Sequence, residues 1–357
     1  MFFSETWSRT ERAILCVALA IIIILGIRTM ASIIDILLVS MILALLTYPA
    51  IKWLNTKGVS HTVAVAIVTG AAVLCIVLIV YLTVLSFGYI INDLPLYQAE
   101  LSARLNELVT LLGLGGISLA GITGASLNLT TIVPMLLSSV MNLGEDLMYV
   151  FFIAVTTFFI LLEAPLFIGR IETLLADDQA KLRQLSKMSG YVIDFIVVRT
   201  ETNMIHGFLF GGSLALMGVH GAILWGILTF LLGYIPYFGL IIAAVPAIFF
   251  AWLQFGIWGA VAVVAIVCVL NLIVENPVFS YLAARKFEIP ALVVVLSVIF
   301  WGWLFGLAGM LFAVPFTLML VILIEASGEF RWINTLMGVS HLFEEVLDKK
   351  TDEKKIP

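Results

Sequence analysis

Glu275 closes a run of 73 residues, begun after Glu201, that contains no Asp, Glu, Lys or Arg. Asn271 stands four positions before it, about one helical turn, and Asn276-Pro277 follows directly. Two amides and a carboxylate beside a proline break offer oxygen ligands for a cation, hydrogen bonds for a polar solute, or a group that carries a proton. The competing role is a helix-terminating cap whose carboxylate faces lipid headgroups. A charge at the bilayer centre costs about 2.5 to 3.5 kcal/mol, so each ionisable residue at membrane depth needs a reason. Asp35, Glu163 and Glu325 are further possible coupling carboxylates, and each also reads as an interfacial charge at a span end, as Asp194 and Glu201 do. His206 and His220 have no metal-type ligand four residues on, so packing or interfacial roles are favoured over metal binding.

No H-E-x-x-H, G-x-S-x-G or G-x-x-x-x-G-K-[ST] pattern occurs, so neither an enzyme nor ATP hydrolysis at such a phosphate loop is expected, and no metal or cofactor. The net charge of −5 is dispersed and no basic run occurs, which leaves nucleic-acid binding without a footing. Cys16, Cys75 and Cys268 are isolated in apolar runs and read as packing residues.

The elements that must position these residues are membrane helices. Of 357 residues 62% are hydrophobic and only 11% charged, and mean hydropathy is +1.18; a soluble domain carries about 25% charged residues. The expected fold is all-α, a polytopic integral membrane protein of about eight membrane segments. Early spans are expected over Ala13–Ile27, Met30–Ile51, Thr62–Ile91 and Leu147–Leu162, the first retained rather than cleaved as a signal peptide. Arg9, Arg12, Lys52, Lys57 and the basic residues of 165–200 place the N-terminus and that connection in the cytoplasm. Arg285 and Lys286 should lie there too, so 202–284 must cross an even number of times or dip in and return.

Breaks at Gly221, at Gly233, Pro236 and Gly239, and at Gln254 to Gly256 divide that region into 207–220, 222–234, 239–253 and 257–275. The first two are about 20 Å of helix each, short for a crossing, and are expected to form a re-entrant hairpin or a pair of tilted half-helices entered from the cytoplasm. The stretch 289–324 breaks at Gly302, Gly306, Gly309 and Pro315 and is expected to form a second hairpin that returns the tail to the cytoplasm. Ala244-Val245-Pro246 and Ala313-Val314-Pro315 each follow a glycine break, the pairing of interrupted segments that points to a transporter's binding site. Gly207-x-x-x-Gly211 and Gly302-x-x-x-Gly306 read as close-packing pairs.

Outside the membrane, Leu94, Tyr97, Leu101, Leu105, Leu108 and Leu112 recur at helical spacing, ahead of a Gly/Ser/Thr-rich loop. That apolar face either pairs with a neighbouring subunit or packs on its own membrane domain. The expected division is 1–91 (spans one to three), 92–146 (a small extracytoplasmic helical insertion), 147–200 (span four and a cytoplasmic connector), 201–326 (a core of broken helices) and 327–357 (a cytoplasmic tail).

The run Gly233-Tyr234-Ile235-Pro236-Tyr237-Phe238-Gly239, then Val245-Pro246-Ala247, Glu275-Asn276-Pro277, and Gly306 through Ala313-Val314-Pro315 resembles the carboxy-terminal half of the autoinducer-2 exporter (AI-2E) family. Tyr48-Pro49 followed by Trp53 fits the amino-terminal half. The resemblance implies a secondary transporter in the cell membrane, exporting autoinducer-2 or exchanging sodium or lithium for protons, and a homo-oligomer such as a pentamer. Tyr234 and Tyr237 join Glu275, Asn271 and Asn276 as candidate contacts for a small polar solute or monovalent cation. The family commonly carries Asn before an Ile-Pro-Tyr-Ile-Gly turn where this chain has Gly233-Tyr234 and Phe238, so ligand specificity does not carry over. A channel-like or scaffolding membrane oligomer is the alternative.

Overall fold

The computed structural model describes residues 9–92, 94–111, 143–176, 179–277, 289–327 and 330–339. Among them the chain forms α1 (Arg9–Thr29), α2 (Ala31–Thr56), α3 (His61–Asn92), α4 (Leu94–Leu111), α5 (Leu143–Leu174), α6 (Gln179–Met217), α7 (Ala222–Leu232) and α8 (Gly239–Leu270). The π turn Asn271–Glu275 extends α8, and α9 (Ala291–Leu311), α10 (Ala313–Ser327) and α11 (Arg331–Leu336) complete the described chain. Five helices are long and apolar enough to cross a membrane, and α7 and α10 are shorter apolar helices. Apolar residues encircle most of them because lipid offers backbone groups no partner, and the helix satisfies those groups within the segment.

Helices cover the four expected early spans, of which α2, α3 and α5 are among those long and apolar enough to cross, and sparse polar contacts hold α2 and α5 together. The Ser40 hydroxyl donates to the Ile153 carbonyl at 3.1 Å, and Thr157 returns a bond to the Ser40 carbonyl at 3.3 Å, joining α2 to α5. Tyr149 donates to Asp35 between the same helices. Beside them Ala44, Ile51, Ala64, Val65 and Leu161 form one buried cluster of α2, α3 and α5.

The Gly221, Gly233–Gly239 and Gly256 breaks also fall where expected, but the first short segment does not exist as such. Residues 207–217 are the end of a single 39-residue helix that begins at Gln179. The charged residues near Glu201 suggested a membrane boundary; α6 runs through them because Arg199 finds a carboxylate partner in the fold. Of the two short segments expected here, only the second is present as such, as the 11-residue α7. It packs along α6 through glycines: a Cβ on Gly207 would lie 2.6 Å from the Gly226 carbonyl oxygen, and one on Gly211 3.1 Å from the Gly226 Cα. The Gly207/Gly211 pair is thus a helix-packing surface. In the Gly302/Gly306 pair only Gly302 packs closely, against Met310 beyond the kink, while Gly306 is the turn residue itself at φ 63° with open space around it.

Helix α4 docks on this chain's own membrane core. Tyr97 and Leu101 bury against Leu253, the Tyr97 hydroxyl meets His220 Nδ1 at 2.8 Å, and Arg104 Nε donates to the Leu253 carbonyl at 3.2 Å. Arg104 thereby satisfies a carbonyl that the α8 break at Gly256 leaves without its helical donor. Tyr97→Phe keeps the packing and removes the hydrogen bond, an expected loss of about 1 kcal/mol. Thermal unfolding in detergent reads it, and an unchanged midpoint would show the bond to be idle. The Gly/Ser/Thr-rich loop, Arg285, Lys286 and residues 340–357 lie outside the described residues.

Candidate functional site

The polar residues of the core converge where the tip of the α7/α8 hairpin meets α6. Arg199 NH1 lies 2.9 Å from Glu275 Oε2 and 3.1 Å from Oε1, while its Nε donates to the Gly233 carbonyl at 3.0 Å. One guanidinium therefore ties three elements together: α6, the hairpin tip and the end of α8. The planar guanidinium holds its donors in fixed directions, so it can meet a carboxylate and a carbonyl on different elements with little loss of freedom. The pair is largely buried, with side-chain exposures of 14% for Arg199 and 28% for Glu275.

Asn203 and His206 follow Arg199 at i+4 and i+7, on the same face of α6. They are 1% and 3% exposed, yet Asn203 Nδ2 and His206 Nε2 have no hydrogen-bond partner. Each such group costs about 1 to 3 kcal/mol, so a pair of them beside an ion pair calls for an explanation. A Cβ on Gly233 would sit 2.6 Å from Asn203 Oδ1; the absent side chain is what admits Asn203 to the tip.

The hairpin tip is constrained backbone. Tyr234 donates to or accepts from Thr200 Oγ1 at 2.6 Å and its ring lies 5.9 Å from that of Phe312. Tyr237 adopts φ 65°, the positive-φ non-glycine among the described residues, while its side chain stays 56% exposed. A bulky residue held in the left-handed region marks a site where surrounding structure imposes the conformation. Gly239 is required by space: a Cβ there would fall 1.7 Å from the Leu232 carbonyl oxygen.

The other residues singled out by the sequence are scattered. Asn271 and Asn276 are exposed, because the buried face of this segment runs through Val263, Leu270 and Val274. Pro246 lies inside α8 and Pro236 in the tip, whereas Pro315 sits in the first turn of α10, where the missing N–H is no loss. Glu163 is exposed on α5. Asp35 meets Tyr149, and Glu325, buried at 9%, pairs with Arg331 at 3.2 Å and accepts from Asn334 at 2.9 Å. Arg199 and Asn203 are residues that the sequence did not single out, and His206, which it favoured as a packing or interfacial residue, joins them. Their signal is a polar stripe at i, i+4 and i+7 that continues into the apolar half of α6.

The described residues are helical, and their long apolar helices and the breaks that meet at an ion pair make this a polytopic membrane protein. Residues 14–328 match the family described as AI-2E family transporter, and the chain is a member of that family. The AI-2 transport protein TqsA of Escherichia coli K12 is 28% identical over 328 residues, covering 92% of this chain and 95% of that protein. A putative transport protein of Haemophilus influenzae is 31% identical over 337 residues (92% and 96%), and the putative transport protein YhhT of Escherichia coli K12 is 27% identical over 330 residues (92% of each).

Proposed function

We propose that this chain is a secondary transporter of a small polar solute or monovalent cation, with N- and C-termini in the cytoplasm, working without ATP hydrolysis. The bridge from Arg199 to Glu275 and the Gly233 carbonyl supports this reading. Helix α7 is about 16 Å long at 1.5 Å per residue, roughly half of a ~30 Å hydrocarbon core. With its first turn at the level of α4, α7 and the first arm of α8 form a re-entrant hairpin entering from the side that α4 covers, opposite to the entry the sequence suggested.

In this reading Arg199 is an internal cation that occupies Glu275 when the site is empty. A solute cation, or a proton on Glu275, breaks the pair and frees Gly233, and the tip moves. Asn203 and His206 supply the two unused polar groups that a bound solute or water would meet. Autoinducer-2 enters as a candidate solute through the name of the Escherichia coli relative, and sodium/proton or lithium/proton exchange through the family resemblance. Tyr97, Leu101 and Leu105 of the apolar face of α4 pack against α8, which supports docking of this helix on its own membrane core.

The test is flux into proteoliposomes carrying autoinducer-2, sodium or lithium gradients, with an internal pH dye. Glu275→Gln is expected to abolish ion-coupled flux, by at least tenfold, with the protein still folded. Coupled flux at the wild-type rate would remove Glu275 from the site.

A further inference from the structure

Gly256 and Gly306 are 50 positions apart and share one conformation: φ 69°, ψ −160° and φ 63°, ψ −140°. Each follows a phenylalanine and precedes a second glycine by three, in Phe255-Gly256-Ile257-Trp258-Gly259 and Phe305-Gly306-Leu307-Ala308-Gly309. The second glycines meet matching neighbours. A Cβ on Gly259 would lie 2.5 Å from the Ala251 carbonyl oxygen and 2.6 Å from Phe255 Cβ. One on Gly309 would lie 1.9 Å from the Trp301 carbonyl oxygen and 3.0 Å from Phe305 Cβ. In both, the contacts are eight and four residues back. Residues eight apart in a continuous helix are about 12 Å apart, so at both places the chain folds back on itself around the glycines.

In the arms that precede the turns, the 50-residue offset also pairs several positions of like burial. Before the turn, Ala244 and Val294 are buried, as are Ala247 and Ser297, while Ile241 and Ala291, Ile242 and Leu292, and Phe249 and Ile299 are exposed. After it Val263 and Ala313 are both fully buried, but the arms then differ: Val264, Ala265 and Cys268 are exposed where Val314, Pro315 and Leu318 are buried, and Leu270 is buried where Leu320 is exposed, so the correspondence rests on the glycines and the paired acids. The offset ends on Glu275 and Glu325, and each carboxylate is held by an arginine, Arg199 at 2.9 Å and Arg331 at 3.2 Å. Two unrelated apolar hairpins share a burial period readily. They do not share a positive-φ glycine, a contact glycine three residues on and a paired acid nineteen residues on. The Pro246 and Pro315 segments, 69 apart, are not equivalent; the offset sets Pro246 against Leu296 and Pro315 against Ala265.

We infer that residues 239–275 and 289–325 are two copies of one helix–turn–helix unit running in the same direction, and that Glu325–Arg331 is the second copy's counterpart of the Glu275–Arg199 latch. The duplication stands apart from the transport reading, whereas the latch role rests on it. Arg331 belongs to α11, so the tail helix does for the second unit what α6 does for the first. Asn334, fully buried, fixes that arrangement by donating to Glu325 and to the Val321 carbonyl.

Single cysteines test both halves in a protein whose Cys16, Cys75 and Cys268 are replaced by serine, reconstituted in one orientation and labelled with a membrane-impermeant maleimide. Ile257→Cys and Leu307→Cys, 57% and 60% exposed in the native side chains, are expected to label from one side, and Pro277→Cys and Ser327→Cys from the other. Labelling of either matched pair from opposite sides overturns the duplication. For the latch, Glu275→Gln is expected to raise the labelling rate at Ile257→Cys at least threefold, and Glu325→Gln or Arg331→Gln the rate at Leu307→Cys. A static tether would leave a turn at the far end of the arm unmoved, so unchanged rates overturn the latch. Neither readout needs a transported solute, so it can fail or succeed independently of the flux test above.

Discussion

Gly239→Ala is expected to destabilise the protein by on the order of 3 kcal/mol, or to leave too little folded product to measure. The added Cβ would fall 1.7 Å from the Leu232 carbonyl oxygen and 2.5 Å from its carbon. Both are backbone atoms, so no rotamer change relieves the overlap. The end of α7 would have to move, yet Arg199 holds the adjacent Gly233 carbonyl. Gly70→Ala is the control: it lies in α3 with nothing within 4 Å of the added atom, and is expected to be neutral or stabilising by up to about 1 kcal/mol. Folded yield by size exclusion and thermal unfolding in detergent compare the two. Equal behaviour would mean that the hairpin tip is not packed as described.

Arg199→Gln and Glu275→Gln should each cost about 2 to 3 kcal/mol, below the 3 to 5 kcal/mol typical of a broken, fully buried pair because neither side chain is fully buried in the protein. Each single change strands the opposite charge. The Arg199 change also deprives the Gly233 carbonyl of its donor. The double variant removes both charges together and is expected to cost at least about 1 kcal/mol less than the sum of the singles. Arg199→Lys should fall between wild type and Arg199→Gln, since one ammonium keeps the charge but lacks the fork that spans carboxylate and carbonyl. Unfolding of the four proteins under identical detergent conditions provides the cycle. Strict additivity would mean that the ion pair contributes nothing to holding the three elements.

Much of the helical architecture was legible in the residues. Near-continuous apolar runs cannot leave backbone groups unsatisfied in lipid, so helices over 13–27, 30–51, 62–91 and 147–162 followed from hydropathy alone. Glycine and proline positions located the breaks at Gly221, Gly233–Gly239, Gly256 and Gly306 for the same reason: they are the residues that interrupt a helix cheaply or by necessity. Glu275 stood out because a carboxylate at the end of a neutral block is costly without a partner.

What the residues did not disclose was that partner. Arg199 lies 76 positions away and looked like an ordinary cytoplasmic charge, so α6 was divided at a boundary that does not exist. Asn203 went unremarked and His206 read as a packing or interfacial residue, and Asn271, one turn before Glu275, is exposed beside the buried face of Leu270 and Val274. Helix α4 had two possible docking partners until Tyr97 met His220. Local chemistry therefore determined where this chain is helical, where it breaks and that it resides in a membrane, because those properties depend on neighbours a few residues apart. Only the tertiary structure decided which charges neutralise one another and which carbonyl receives the spare donor, because in a low-dielectric interior a charge is stabilised by whatever the fold brings within about 3 Å, however distant in sequence.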